Sequence, residues 1–163
     1  MIKLYNERVL QLVDPSEHLK DAYLKKSDGH LSTARLLLEN DRLEEAVSIA
    51  YYSMYYSVLA LFHRTGIKCE NHTAAGMILQ RVFDIDPADL VRAKKERIDK
   101  QYYVDTELTK DDVKALLLTA ETFNGVMFDF IERLNNTKVE GYRDKLRELL
   151  SSAAAGRGKG KRD

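Results

Sequence analysis

The chain has 163 residues, with 26 basic and 26 acidic side chains that leave no formal net charge at neutral pH. That length suits one domain with a real core, and the charge balance excludes a globally basic nucleic-acid or membrane binder, so any basic surface must be local. A lone cysteine, Cys69, excludes an intrachain disulfide framework and fits a reducing cytosol.

In chain order, Met1-Ile2-Lys3-Leu4-Tyr5-Asn6-Glu7-Arg8 carries charges where a signal peptide needs an apolar core. Residues 1–14 therefore read as an N-terminal segment of a soluble, cytoplasmic protein. Two prolines, no tryptophan and little Val/Ile alternation argue against a sheet. The punctuation marks helix starts instead. Asp14-Pro15-Ser16-Glu17 sets a cap, a first-turn proline and a capping-box glutamate in order. Asp41-Arg42-Leu43-Glu44 opens a second helix that should end near Arg64, with Gly66 as its stop. Asn71 caps a shorter helix through Phe83, and Asp86-Pro87-Ala88-Asp89 opens one reaching about Tyr103. Thr109-Lys110-Asp111-Asp112 opens the last long helix, to Leu134.

On that last helix Val113, Leu116, Ala120, Phe123, Met127, Phe130 and Leu134 recur in alternating three- and four-residue steps, a core stripe suited to antiparallel packing. The expectation is all-α: an up-and-down bundle of about five helices over residues 15–134. A short amphipathic helix follows over residues 135–152, with Val139, Tyr142, Leu146, Leu149 and Leu150 on one face. Glycines and like charges predict a disordered basic tail over residues 153–163.

Two places hold candidate chemistry. Ala50-Tyr51-Tyr52-Ser53-Met54-Tyr55-Tyr56 lies in a run free of charge from Ala46 to Phe62, too short and too polar to span a membrane. Its doublets are spaced i to i+4, so the tyrosines form two ribbons on one helix. They are either core, or one ribbon lines a cleft or a dimer seam, since a helix so apolar looks hard for one bundle to cover. The second place is the helix beginning at Pro87, where Arg92, Lys94, Lys95, Arg97 and Lys100 outnumber Glu96 and Asp99. With Ile98 at the centre of the buried face, Val91 and Tyr102 fall beside it and Arg97 on the flank with Leu90, Lys94 and Gln101. A flank arginine either joins an ordinary ion pair or offers its fork to phosphate oxygens.

The tyrosine motif, the segment from Lys68 to Gly76 containing His72, and Arg97 with Tyr102 four intervening residues on resemble the HEPN superfamily. The match is to its small stand-alone archaeal and bacterial branch, which carries Ala-Tyr-Tyr-Ala-Met-Phe-His, Lys-x-His-x-Gly and Arg-x4-Tyr. It spans about Ser16 to Leu134. The resemblance implies a helical bundle that dimerises and sets the motif arginines of two protomers around one cleft. Many members are metal-independent ribonucleases, some of them toxins or defence effectors, and others bind nucleotides or accompany a small nucleotidyltransferase. The ribonuclease motif is an arginine, four to six intervening residues, then histidine. Here Tyr102, Tyr103 and Val104 occupy those places, and no histidine follows His72. A phenol, with an ordinary pKa of about 10, is a poor base at neutral pH.

The resemblance thus leads to a dimeric nucleotide- or RNA-binding protein, non-catalytic or weakly catalytic, partnered with a nucleotidyltransferase in a toxin–antitoxin or defence setting. Its ligand-binding residues would be Arg97, Lys94, Lys100, Tyr103, His72, Tyr52 and Tyr56. The alternative is a ribonuclease using Arg97 with Tyr102, Tyr103 or His72 in the histidine's place, and a third reading is a scaffold without a ligand. No cofactor is expected. His63, Cys69 and His72 lack a second cluster to complete a zinc site, and His18 and His30 match no ligand spacing.

Overall fold

A computed structural model of the chain describes residues 10–102 and 108–157, with side chains at 10–98 and 108–152. Six helices carry the fold among them: α1 (Glu17–Glu39), α2 (Leu43–Thr65), α3 (His72–Phe83), α4 (Ala88–Tyr102), α5 (Lys110–Glu132) and α6 (Asn136–Arg157). The five helices expected after Pro15 are all present. α6 runs on to Arg157, into the stretch whose glycines suggested disorder.

Local chemistry sets the boundaries. Ser16, rather than Asp14, caps α1, its hydroxyl accepting from the Leu19 amide. Arg42 precedes α2 without a side-chain cap, while Asn71 Oδ1 accepts from Thr73 and Ala74 at the start of α3. Thr109 and Asp112 form a reciprocal capping box on α5. α2 stops at Gly66, whose φ of 66° is the left-handed turn a side chain would strain.

The fold is all-α as expected, apart from one small ribbon that the residue pattern argued against. Leu10–Leu12 (β1) and Ile67–Cys69 (β2) pair antiparallel, in the register Leu10 to Cys69, Gln11 to Lys68 and Leu12 to Ile67. Three-residue strands are too short to show alternation, and their partner lies across the whole of α1 and α2. Leu10, Ile67 and Cys69 bury their side chains beneath this ribbon, which joins the N-terminal segment to the bundle.

α2 is the central post. No residue from Ala46 to Thr65 is exposed, so a single chain covers the helix that looked too apolar to cover. Small side chains permit this, because Ala46, Ala50, Ser53, Ser57 and Ala60 let neighbouring backbones approach. The hydroxyls stay satisfied: Ser27 donates to the Ser53 carbonyl at 2.8 Å, and Asn124 donates to the Ser53 hydroxyl at 2.9 Å. These bonds tie α1, α2 and α5 together without leaving buried serines unpaired.

The stripe of α5 faces inward as its spacing requires, with Val113, Leu116, Ala120, Phe123, Met127 and Leu134 buried and Phe130 half-buried. α6 buries Val139 and Leu146 and packs Tyr142 on Phe83 with ring centres 4.8 Å apart. Arg143 is buried with them. Its Nη1 donates to the carbonyls of Val13, Thr65 and Gly66 at 2.8, 3.0 and 3.2 Å, bolting α6 to the turns beside the ribbon.

Candidate functional site

α4 turns a different face inward from the one its apolar residues suggested. Leu90 and Ala93 are buried, Ile98 is half-buried and Val91 is 55 % exposed. Arg97 follows Leu90 and Ala93 at seven and four residues, on the line of the buried face. Ala93 is small enough to let α4 approach α2, which brings the guanidinium of Arg97 over the tyrosine helix.

There the guanidinium carbon lies 5.2 Å from the ring centre of Tyr51 and 5.5 Å from that of Tyr52, within cation–π range. Nη1 donates to the Tyr52 hydroxyl at 3.3 Å. The Nε–H is buried and has no partner among the described residues. The two tyrosine ribbons therefore differ. Tyr51 and Tyr55 are core, and Tyr52 and Tyr56 are half-buried at its edge.

His72 opens α3 beside them. Its Nδ1 lies 2.5 Å from the Tyr51 hydroxyl, and its ring stacks on Tyr55 with centres 4.0 Å apart. Burial pushes the Tyr51 phenol up to about 12, only partly offset by Arg97. Burial, then Lys94 and Arg97, push the His72 imidazole below its usual range. Both shifts favour a neutral pair at pH 7, in which the Tyr51 hydroxyl donates to Nδ1 and Nε2 carries the ring proton. The next residue, Thr73, accepts a hydrogen bond from Lys94 Nζ at 2.8 Å. Among the described residues no carboxylate forms an ion pair with Lys94 or Arg97.

Arg97, Lys94, His72 and Tyr52 thus converge. Tyr56 lies further along the ribbon, with Lys26 4.4 Å above its ring and His30 edge-on at 4.8 Å. The side chains of Lys100 and Tyr102, and all of Tyr103, lie outside the described residues. Sequence reasoning passed over Tyr51 and Thr73 as site residues. Tyr51 stood inside the quoted motif, whereas Thr73 gave no signal. Among the described residues no three His, Cys, Asp or Glu side chains are placed to share a metal ion, and no helix is long and apolar enough to cross a membrane.

The fold and this cluster meet in a family-level match: the model of the HEPN domain matches residues 21–134. The chain belongs to the HEPN family. Two curated proteins are similar over part of the chain. A UPF0332 protein of Pyrococcus horikoshii is 40 % identical over 53 residues, 32 % of this chain and 37 % of that protein. A UPF0332 protein of Thermotoga maritima is 30 % identical over 71 residues, 44 % of this chain and 54 % of its own length. The matches thus span between a third and just over half of these relatives. The HEPN match begins within α1 and ends just beyond α5, so it covers the tyrosine helix, His72 and Arg97 and leaves out β1 and α6.

Proposed function

We propose that this HEPN chain is a homodimeric nucleotide- or RNA-binding protein that grips phosphate with Arg97 and Lys94 and cleaves RNA weakly or not at all. The guanidinium of Arg97 carries the reading. It rests on two tyrosine rings, makes one long bond to a hydroxyl and keeps a buried Nε–H without a partner among the described residues. An arginine held this way is oriented yet has donors left for an anion. Lys94, bonded to a neutral hydroxyl, adds a second positive charge, and the nearby start of α3 adds the partial charge of a helix N-terminus.

The absent motif histidine argues against efficient hydrolysis. Binding without turnover suits a protein that works beside a catalytic partner, and a small nucleotidyltransferase in a toxin–antitoxin or defence setting is the partner we expect. For the dimer, Leu118 and Val126 supply exposed apolar surface on the outer face of α5. Sedimentation at about 10–100 µM should give a dimer, the range in which a moderate interface is populated.

One observation favours a second reading. His72 is a neutral imidazole near two cations, and in its other tautomer, with Nδ1–H donating to the Tyr51 hydroxyl, Nε2 would be free to take a proton from a ribose hydroxyl. A ribonuclease would then use His72 with Arg97. Metal-free incubation of mixed RNA with wild type, Arg97→Ala and His72→Gln separates the two. The binding reading expects RNA that stays intact or is cut only slowly, with no loss on His72→Gln, and oligonucleotide affinity weakened roughly 10- to 100-fold by Arg97→Ala, on the scale of one hydrogen bond to a charged group. Robust cleavage abolished by His72→Gln would establish the nuclease instead.

A further inference from the structure

We infer that the cleft between α1, α2 and β2 is a nucleobase subsite, which places a nucleoside 5′-phosphate across His72 with its phosphate at Lys94 and Arg97. The inference rests on the phosphate site proposed above and adds the group at the other end of the ligand.

The cleft has a volume of about 320 Å³, at the small end for a ligand site and suited to one base with its ribose. Two stacked ring pairs line it. Tyr23 of α1 and His63 of α2 lie parallel, with centres 5.0 Å apart and planes 5° apart. Tyr55 and His72 make the second pair. Flat aromatic walls hold a base by stacking whatever its identity. Leu59 and Ile67 add apolar lining. Lys68 and Glu70, ion-paired at 3.2 Å, bring both a donor and an acceptor to a base edge. Burial and Lys68 push the His63 imidazole down, so this wall is uncharged at neutral pH, and burial keeps the Tyr55 hydroxyl protonated.

The charge changes along the cleft. At the Tyr23–His63 end Lys68 and Glu70 cancel, whereas past His72 Lys94 and Arg97 stand without a carboxylate partner among the described residues. A neutral base joined to an anionic phosphate has the same polarity. His72 joins the halves, since its ring lines the cleft and its Nδ1 meets the Tyr51 hydroxyl below Arg97. Its neighbour Thr73 holds Lys94.

Calorimetric titration of the full chain with 5′-AMP and with ribose 5-phosphate tests this. Wild type should bind 5′-AMP about tenfold more tightly, the contribution of one stacked base. Tyr23→Leu should remove that preference and leave ribose 5-phosphate unchanged, while Lys94→Ala should weaken both ligands in parallel. His63→Asn carries the same expectation as Tyr23→Leu should the latter fail to fold. Equal wild-type affinities, or an undiminished preference in these variants, would overturn the base subsite and leave the phosphate site standing. Failure of wild type to bind either ligand would overturn both.

Discussion

Two arginines in this molecule are held within the protein and do opposite things. Arg143 of α6 is 9 % exposed, and its Nη1 reaches three backbone carbonyls while Glu140 stands 3.4 Å from its Nε. Arg97 of α4 reaches one hydroxyl and two aromatic faces, with no carboxylate partner among the described residues. The first guanidinium ties its own helix to the turns before α1 and after α2 and acts as a bolt. The second is oriented but under-bonded, a condition that costs stability unless a ligand completes it. Both leave a buried Nε–H without a hydrogen bond among the described residues, so the difference lies in the charge and the acceptors around each: Arg143 has a carboxylate beside it and three carbonyls on Nη1, and Arg97 has one hydroxyl.

Substitutions sharpen the contrast. The largest effect should come from Gly66→Val, because Gly66 has a φ of 66° and an added Cβ would strike Arg143 Nη1 and the Val13 carbonyl. Unfolding in urea should show a loss of about 3–5 kcal/mol, combining left-handed strain with overpacking. Arg143→Met should cost about 2–4 kcal/mol, since buried carbonyls lose a charged donor, and should leave ligand affinity in the folded fraction unchanged. Arg97→Met reverses the pattern. Its stability should stay within about 1 kcal/mol of wild type, as lost cation–π contact is offset by removal of an unpaired buried donor. If Arg97→Met unfolded the chain as Arg143→Met does, the distinction between bolt and binding group would collapse.

A smaller effect follows from pH. His63 and His72 both have imidazole pKa values lowered from the usual 6.5 by burial and neighbouring cations. The unfolded chain therefore binds more protons than the native one as pH falls through that value, so stability is present above about 6.5 and declines below it. Melting temperature should fall between pH 7.5 and 5.5, and His63→Gln with His72→Gln should flatten the slope. Affinity for sulfate, whose charge is constant over this range, should move the other way, because protonating His72 adds a third positive charge beside Lys94 and Arg97. An affinity that weakens on acidification would place the anion elsewhere.

Much of the fold was legible because it is written in local signals: Asn71 and Thr109 as caps, Gly66 as a stop, and the three-four stripe of α5. The β1–β2 ribbon was not, since each strand is three residues long and finds its partner across two helices. Arg143 was illegible for a related reason. Its acceptors are backbone carbonyls in distant turns, which carry no side-chain signature. The tyrosine helix looks too apolar for one bundle in sequence, because small residues such as Ala50 and Ser53 give no sign of how closely α1 and α5 can approach. Ala93 acts in the same way on α4, turning its buried face away from Ile98. The motif residues Arg97, Tyr52 and His72 were recognisable and do meet, but the Tyr51–His72 bond and the Tyr23–His63 stack depend on how three helices cross.

The central question is whether the Arg97 guanidinium binds phosphate. Equilibrium binding of inorganic pyrophosphate to wild type and Arg97→Met, with thermal melts of the same samples, measures it. Affinity should be at least tenfold weaker in the variant, with an essentially unchanged melting temperature. Equal affinity in the two proteins, or a variant whose melt collapses, would contradict this role for Arg97.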